Sequence, residues 1–167
     1  MESKQAYAIT YPLVTKSDGT KFGKSSGGAI WLNPEMTSPF SFYQFWINTA
    51  DSDVINYLKI FTFLAGNEIG ILAASHESDP GRRAAQVALA QAMTRHVHTE
   101  SGLEAAERIT GALFSNSLDE LSEEDLGQLA QDGMPSSTVS DGASLIDVLV
   151  SSGLAVTPKG EVTAGQA

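Results

Sequence analysis

The sequence has no cysteine, only two tryptophans and no apolar run longer than a few residues. The lack of cysteine excludes disulfides, thiolate metal sites and cysteine nucleophiles. A membrane-spanning helix needs about 20 consecutive apolar residues, so none is predicted. Residues 1–5 lead into no apolar stretch, which argues against a secretory signal. We therefore expect a cytoplasmic protein with no membrane partner.

Basic residues are also scarce. The 167 residues include 10 Lys and Arg against 20 Asp and Glu, a formal net charge of −10. Most of the imbalance lies in residues 118–167, which hold one lysine against nine acids, whereas residues 1–35 hold four lysines against three. A contact with phosphate is therefore expected in the first part or at a few arginines.

The apolar pattern predicts a short strand followed by helices. Residues 6–15 are rich in β-branched and aromatic side chains and predict a strand, and the glycine-rich stretch after it predicts a mobile loop. Helical periodicity then predicts a mainly α domain over about residues 35–131 and a linker over 132–143. The first predicted helix begins at Thr37-Ser38-Pro39, and the second is capped by Asp51 or Ser52. Further helices are predicted over about residues 67–75, 82–98 and 102–114, and two more begin after Ser122 and at Ser144.

Lys21-Phe22-Gly23-Lys24-Ser25 is the segment with the clearest chemistry. Two lysines three residues apart in a glycine-rich loop can converge on adjacent phosphate oxygens. A Walker A loop is excluded, since Asp18 stands where its first glycine is needed and no helix pattern follows Ser25. The alternative interpretation is a flexible surface turn.

Other candidates each have a structural alternative. His96 and His98 lie two apart and would face different sides of a helix, so no metal site is predicted. The aromatic set could stack bases, but its helical spacing favours a core. Asp51 and Asp53 suit acid–base chemistry or helix capping, and Arg82-Arg83 suits phosphate contact or a solvated helix start. The aromatic set is Phe40, Tyr43, Phe45 and Trp46.

Longer stretches resemble one family. KFGKS is similar to the KMSKS signature of class I synthetases, and TSPFSFYQFWINT and RRAAQVALAQAMTRHVHTESGLEAAERITGALFS resemble the C-terminal portion of bacterial tyrosyl-tRNA synthetases. The resemblance covers about residues 6–155. It implies that residues 1–35 end a Rossmann-like catalytic domain with its last strand and signature loop. It further implies a helical anticodon-binding domain over 36–131, a linker over 132–143 and a truncated S4-like RNA-binding segment over 144–167.

The resemblance also implies an activity, which is ATP-dependent activation of tyrosine and its transfer to tRNA(Tyr). It implies catalytic roles for Lys21 and Lys24, ATP binding by these two lysines with Gly23 and Ser25, and tRNA binding by Asp51, Arg82 and Arg83. Mg²⁺ would accompany ATP in the intact enzyme, and no bound metal is predicted. Members of the family are homodimers, but the dimer-forming region has no counterpart here.

The chain is expected to be inactive by itself. Its three histidines are His76, His96 and His98, and none stands in the His-x-Gly-His signature that such a catalytic fold requires. The tyrosine-binding strands also have no counterpart. One alternative is a non-catalytic module that binds tRNA or another RNA, and another is a remnant whose helices fold without binding.

Overall fold

The computed structural model describes residues 7–23, 30–115 and 117–153. Over these ranges it is mainly helical, as predicted. None of the helices within them is both long enough and apolar enough to cross a membrane. The α-helices are α1 (Pro39–Ile47), α2 (Asp51–Phe61), α3 (Gly66–Ser78), α4 (Ala84–Ser115), α5 (Glu123–Gln131) and α6 (Leu145–Ser151), with short 3₁₀ helices at Pro80–Arg82 and Leu118–Glu120.

Helix α1 begins as its sequence predicts. Ser38 is the N-cap, and its hydroxyl oxygen accepts a hydrogen bond from the Ser41 amide at 2.9 Å. Pro39 occupies the first helical position, where its missing N–H has no intrahelical partner to lose. Phe42 and Trp46 lie four residues apart on the buried face. The predicted aromatic face omitted Phe42, which belongs to the core shared by α1, α2 and α4.

Helix α2 begins at Asp51, but the predicted cap is wrong. Ala50 is the N-cap residue, and no side chain makes a capping hydrogen bond. Asp51 and Asp53 instead stand inside the first turn, where carboxylates are stabilised by the positive end of the helix dipole. Their oxygens are thereby left for partners outside α2.

Helix α4 contains a backbone break at Thr99, where φ is 66° and ψ is −179°. The predicted interruption lay two residues later, at Ser101-Gly102. Gly102 has a packing role instead, since a Cβ there would lie 2.7 Å from the Cβ of His98 and 3.5 Å from Pro39. The predicted inward face is confirmed at Leu89, Ala90, Leu103, Ala106 and Ile109 but wrong at Leu113 and Phe114, which are exposed.

Residues 7–14 do not form the predicted strand. Tyr7, Ile9 and Tyr11 are exposed, and the only strand-like pairing among the described residues is an isolated bridge between Thr15 and Lys21. A strand needs a neighbour that pairs with its backbone N–H and C=O groups. The β-branched pattern of this segment therefore has no sheet to join in the part of the chain that the structure describes.

Helix α5 is fixed to α4 by an ion pair that the sequence pattern did not reveal. Arg108 donates two hydrogen bonds of 2.8 Å to the carboxylate of Asp125, which is buried. Helix α5 begins where predicted, directly after Ser122. Ser122 is its N-cap, and its amide donates to the same carboxylate at 3.0 Å. These hydrogen bonds, that of Arg108 above all, lower the pKa of Asp125 to about 2.

The segment between α5 and α6 has no regular structure, in line with the linker-like composition of residues 132–143. Helix α6 begins after Ser144, close to the predicted start, and Ser144 is its N-cap, with its oxygen accepting from the Asp147 amide at 3.2 Å. Residues 154–167, the rest of the predicted S4-like segment, lie outside the described residues.

The Arg108–Asp125 pair predicts a pH-dependent effect of substitution. Because the pKa of Asp125 is lowered to about 2, the pair stabilises the fold fully above about pH 4 and is lost as pH falls through that pKa. Arg108→Met should lower the free energy of unfolding by about 2 kcal/mol near pH 7, with the loss moderated by the half-exposed guanidinium. Urea unfolding measured from pH 7 to pH 2 should show this difference shrinking.

Arg95→Met is the matched control. It removes an Arg–Glu pair on the same helix, with Glu100, in which both side chains are more than half exposed. Its cost should stay below about 1 kcal/mol. Equal losses for the two variants, or a loss for Arg108→Met that does not change with pH, would contradict the account.

Candidate functional site

An open cleft of about 400 Å³ lies where the α1–α2 connection faces the α3–α4 connection. Asp51 and Arg83, two of the three residues predicted to bind tRNA, both line it. Arg82 is exposed but is not among the lining residues. The cleft is completed by Asn48, Thr49, Ala50, Pro80 and Gly81.

Arg83 fastens the two walls of the cleft together. Its backbone adopts the left-handed conformation, with φ at 52°, directly after the 3₁₀ helix. This turn brings the guanidinium to the end of α1, where its Nη2 donates to the carbonyl oxygen of Ile47 at 2.5 Å. A cation is favourable at a helix C-terminus because the last carbonyls carry partial negative charge. Arg83 thus has a structural partner and also places positive charge at the cleft.

Asp51 exposes its carboxylate to the cleft and is held there by a hydrogen bond from another helix. Its side chain is 64% exposed, and its Oδ1 accepts a hydrogen bond of 2.5 Å from the Nε2 of Gln86 on α4. The Nε2 of His76 on α3 lies 3.9 Å from the same oxygen. Three helices therefore converge on one carboxylate.

Sequence reasoning missed Gln86 and His76. Gln86 is fully buried, three and four residues before the core residues Leu89 and Ala90. Residues three and four apart share a helix face, so this spacing placed a polar side chain on the core side of α4. That signal could have indicated a buried polar contact, but the partner comes from another helix and has no local signature.

The predicted phosphate loop is packed against the helical domain through Phe22. The Phe22 ring lies 5.6 Å from the Trp46 ring in a stacked arrangement and 5.0 Å and 5.2 Å from the rings of Phe61 and Tyr57. Offset and edge-to-face arrangements at such distances are favourable for aromatic rings. Trp46 therefore belongs to the core, as its helical spacing favoured. The loop packs against this core through Phe22.

The same loop contacts the first turn of α2. The amide of Ser17 donates to Asp53 Oδ1 at 2.7 Å, and the hydroxyls of Ser17 and Ser52 lie 2.8 Å apart. Asp53 therefore accepts a loop amide and does not cap its helix. Lys21 stays exposed beside Phe22, and Lys24 and Ser25 lie outside the described residues. Gly23, the other predicted ATP-binding residue described, has a φ of 74°, which favours glycine.

The model of the family described as tRNA synthetases class I (W and Y) matches residues 1–115. The chain belongs to this family. It is 53% identical over 154 residues to a tyrosine–tRNA ligase of Pectobacterium carotovorum and 50% identical over 159 residues to one of Neisseria gonorrhoeae. These matches cover 92% and 95% of the chain but only 36% and 37% of the relatives. The expected likeness to tyrosyl-tRNA synthetases is thereby confirmed, for a chain that spans about a third of their length.

A solved structure gives the same assignment. A C-terminally truncated mitochondrial tyrosyl-tRNA synthetase of Coccidioides posadasii matches with a TM-score of 0.50 and 40% identity. The match covers 59% of this chain and 25% of that one. Over that part of the chain, the helical fold is therefore similar to that of a synthetase of known structure.

His96 and His98 occupy separate environments, in agreement with their spacing. His98 is buried against Phe42, with ring centroids 4.8 Å apart, and burial lowers its pKa. His96 is exposed and lies edge-on to Phe63. Over the ranges 7–23, 30–115 and 117–153, no group of three or more His, Asp or Glu side chains is arranged to hold a metal ion.

The packing of Phe22 predicts a local effect of its removal. Phe22→Ala should lower the free energy of unfolding by about 1–2 kcal/mol, because a half-buried ring is lost from an aromatic cluster. In a Trp31→Phe background, which leaves Trp46 as the only tryptophan, its fluorescence should shift to longer wavelength. Phe63→Ala is the control, since that ring is 87% exposed. An unchanged Trp46 spectrum in the Phe22 variant would show that the loop does not dock there.

Proposed function

We propose that this chain is the portion of a tyrosine–tRNA ligase that carries the ATP-phosphate loop and the anticodon-binding helices. The observation that supports it best is the cleft, which is lined by an exposed carboxylate from the start of α2 and a guanidinium from the α3–α4 connection. The same proposal includes the domain boundaries: the end of the catalytic domain over 1–35, the anticodon-binding domain over 36–131, the linker over 132–143 and the S4-like segment over 144–167.

Asp51 would read the first anticodon base, a guanine. A carboxylate accepts hydrogen bonds only, and the guanine edge offers two donors, the N1 and N2 hydrogens. Neither adenine nor uracil presents this pair of donors. Anticodon bases lie in a single-stranded loop, where a protein can reach their edges for such contacts. Arg83, and Arg82 beside it, would contact the RNA backbone, because a formal charge of −10 leaves little other positive charge to attract it.

The loop would act on ATP. Lys21 and Lys24 would stabilise the negative charge that develops on the departing pyrophosphate, with Gly23 allowing close approach and Ser25 donating a hydrogen bond. Lys21 is exposed while its neighbour Phe22 is packed, so the loop has an anchor from which a lysine projects. In the intact enzyme Mg²⁺ would neutralise phosphate charge, and tyrosine, tRNA(Tyr) and a second subunit would be further partners. A cytoplasmic location is part of the proposal.

Selective binding of tRNA tests the role of Asp51. The chain should bind tRNA(Tyr) more tightly than a non-cognate tRNA at physiological salt, and Asp51→Asn should reduce that preference about tenfold, because the amide replaces one acceptor by a donor. Filter binding or fluorescence anisotropy gives the two dissociation constants. Glu77→Gln removes one exposed acid from neighbouring α3 and is the control for net charge.

Two results would count against this role. If the Asp51 variant and the control changed binding to the same extent, charge alone would account for the effect. If the chain bound both tRNAs weakly and lost both with added salt, the helices would not read the anticodon by themselves. The chain would then resemble the non-binding remnant considered above.

Activity is tested separately. The purified chain should catalyse no tyrosine-dependent exchange of pyrophosphate into ATP, because two lysines cannot position tyrosine and the adenine ring. Mixing it with a separately produced N-terminal part of a tyrosine–tRNA ligase should restore aminoacylation, and Lys21→Ala should reduce the restored rate at least about 100-fold. Lys59→Ala, at the far end of α2, is the control. Exchange by the chain alone would refute the proposed inactivity.

A further inference from the structure

The side chain of Gln86 makes one hydrogen bond among the described residues, and it goes to Asp51 at the cleft. Its side chain is fully buried in α4, and its Nε2 donates to Asp51 Oδ1 at 2.5 Å. Its Oε1 is also buried and has no hydrogen-bond partner among the described residues. An amide placed there with an unpaired oxygen opposes folding, since a buried acceptor without a donor costs free energy. Core stability alone therefore does not account for a glutamine at this position.

Asp51 needs an external partner to be held in one orientation. It is the first residue of α2, its side chain makes no capping bond, and it is 64% exposed. An exposed aspartate without a partner samples several rotamers. The hydrogen bond from Gln86 joins Asp51 to a buried side chain whose own position is fixed by packing. A carboxylate oxygen can accept more than one hydrogen bond, so this contact leaves acceptor capacity for a ligand.

We propose that Gln86 is a positioning residue that orients the Asp51 carboxylate and thereby sets the preference of the cleft for guanine. The inference rests on the proposed function, in which Asp51 reads that base. Two donors on one base edge are matched by two carboxylate oxygens only when the carboxylate plane is fixed. Loss of the Gln86 contact therefore weakens the hydrogen bond from the guanine 2-amino group, the second of the pair, more than the hydrogen bond from N1.

The proposal separates recognition from stability. Methionine has nearly the same length and volume as glutamine, and it carries no buried amide that needs partners. Gln86→Met should keep the melting temperature of the chain or raise it, while the recognition of guanine falls. A purely structural role for Gln86 predicts that stability and binding to every RNA fall together.

The test uses hairpin RNAs with the tyrosine anticodon loop and either guanine or inosine at the first anticodon position. Inosine keeps the N1 hydrogen and lacks the 2-amino group, so the ratio of the two affinities measures the second hydrogen bond. Gln86→Met should reduce the preference for guanine about tenfold. Gln91→Met is the matched control, because Gln91 stands on the same helix and its Nε2 donates to a carboxylate, that of Glu107, at 2.7 Å.

The outcomes distinguish this inference from the proposed function. An unchanged guanine-to-inosine ratio in a folded Gln86→Met chain, with a clear preference in the wild type, would overturn the positioning role and leave the role of Asp51 standing. No preference in the wild type would overturn both. In an Asp51→Asn background, Gln86→Met should leave the ratio unchanged, and a further fall would show that Gln86 acts elsewhere.

A measurement on the unsubstituted chain covers the case in which position 86 tolerates no change. The side-chain amide resonances of Gln86 should shift when the guanine hairpin binds, and shift less with inosine. A resonance that stays in place while the backbone amide of Asp51 shifts would overturn the proposal.

Discussion

The first turn of α2 is the constraint on which the cleft and the loop both depend. Asp51 and Asp53 lie two residues apart and face different sides of the helix. Asp51 is held by Gln86 beside the cleft, whereas Asp53 accepts the amide of Ser17 in the loop. Because Ala50 supplies no capping side chain, both carboxylates stabilise the helix start through the dipole and keep oxygens for contacts with other segments.

This arrangement ties the loop that we propose to bind phosphate to the helices that we propose to bind the anticodon. Phe22 packs among aromatic rings of α1 and α2, so the segment that carries Lys21 is anchored on the helical domain. A loop anchored at one residue can keep a defined position while its neighbouring lysine stays free in solvent. Sites that must bind charged ligands need such preorganisation, because ordering a mobile loop on binding costs conformational entropy.

The helices with strong local signals could be predicted from the sequence. Ser38 with Pro39 predicts a hydroxyl-capped helix start, and further helices are predicted to begin around Ser122 and Ser144. The structure confirms all three starts. The predicted cap of α2 was wrong because several neighbouring polar residues were equally suitable for the N-cap position. The strand predicted over 6–15 was wrong for a different reason, since a strand forms only with a neighbouring strand, which the sequence of the segment itself does not specify. The exact break in α4 depends on the left-handed backbone of Thr99, which is uncommon for a residue that is not glycine.

The site could be predicted only in part. Asp51 and the arginine pair were identified, and the structure places Asp51 and Arg83 at one cleft while leaving Arg82 outside its lining. The contacts that hold them, from Gln86, His76 and Ile47, join residues 25 to 36 positions apart and follow from how helices cross. The packing of Phe22 was missed because a glycine-rich loop carries no periodicity that shows which way an isolated aromatic residue faces.

In the proposed function, the helices present a preformed cleft to an anticodon, and the loop is supported by the same first turn of α2. Backbone amide resonances of the chain, followed during titration with a hairpin RNA carrying the tyrosine anticodon loop, test this arrangement. We expect shifts in residues 48–53 and 81–86, with a smaller shift at Ser17, whose amide is bound to Asp53. Shifts confined to the separate groove lined by Phe61, Phe63 and His96, or no shifts at all, would contradict it.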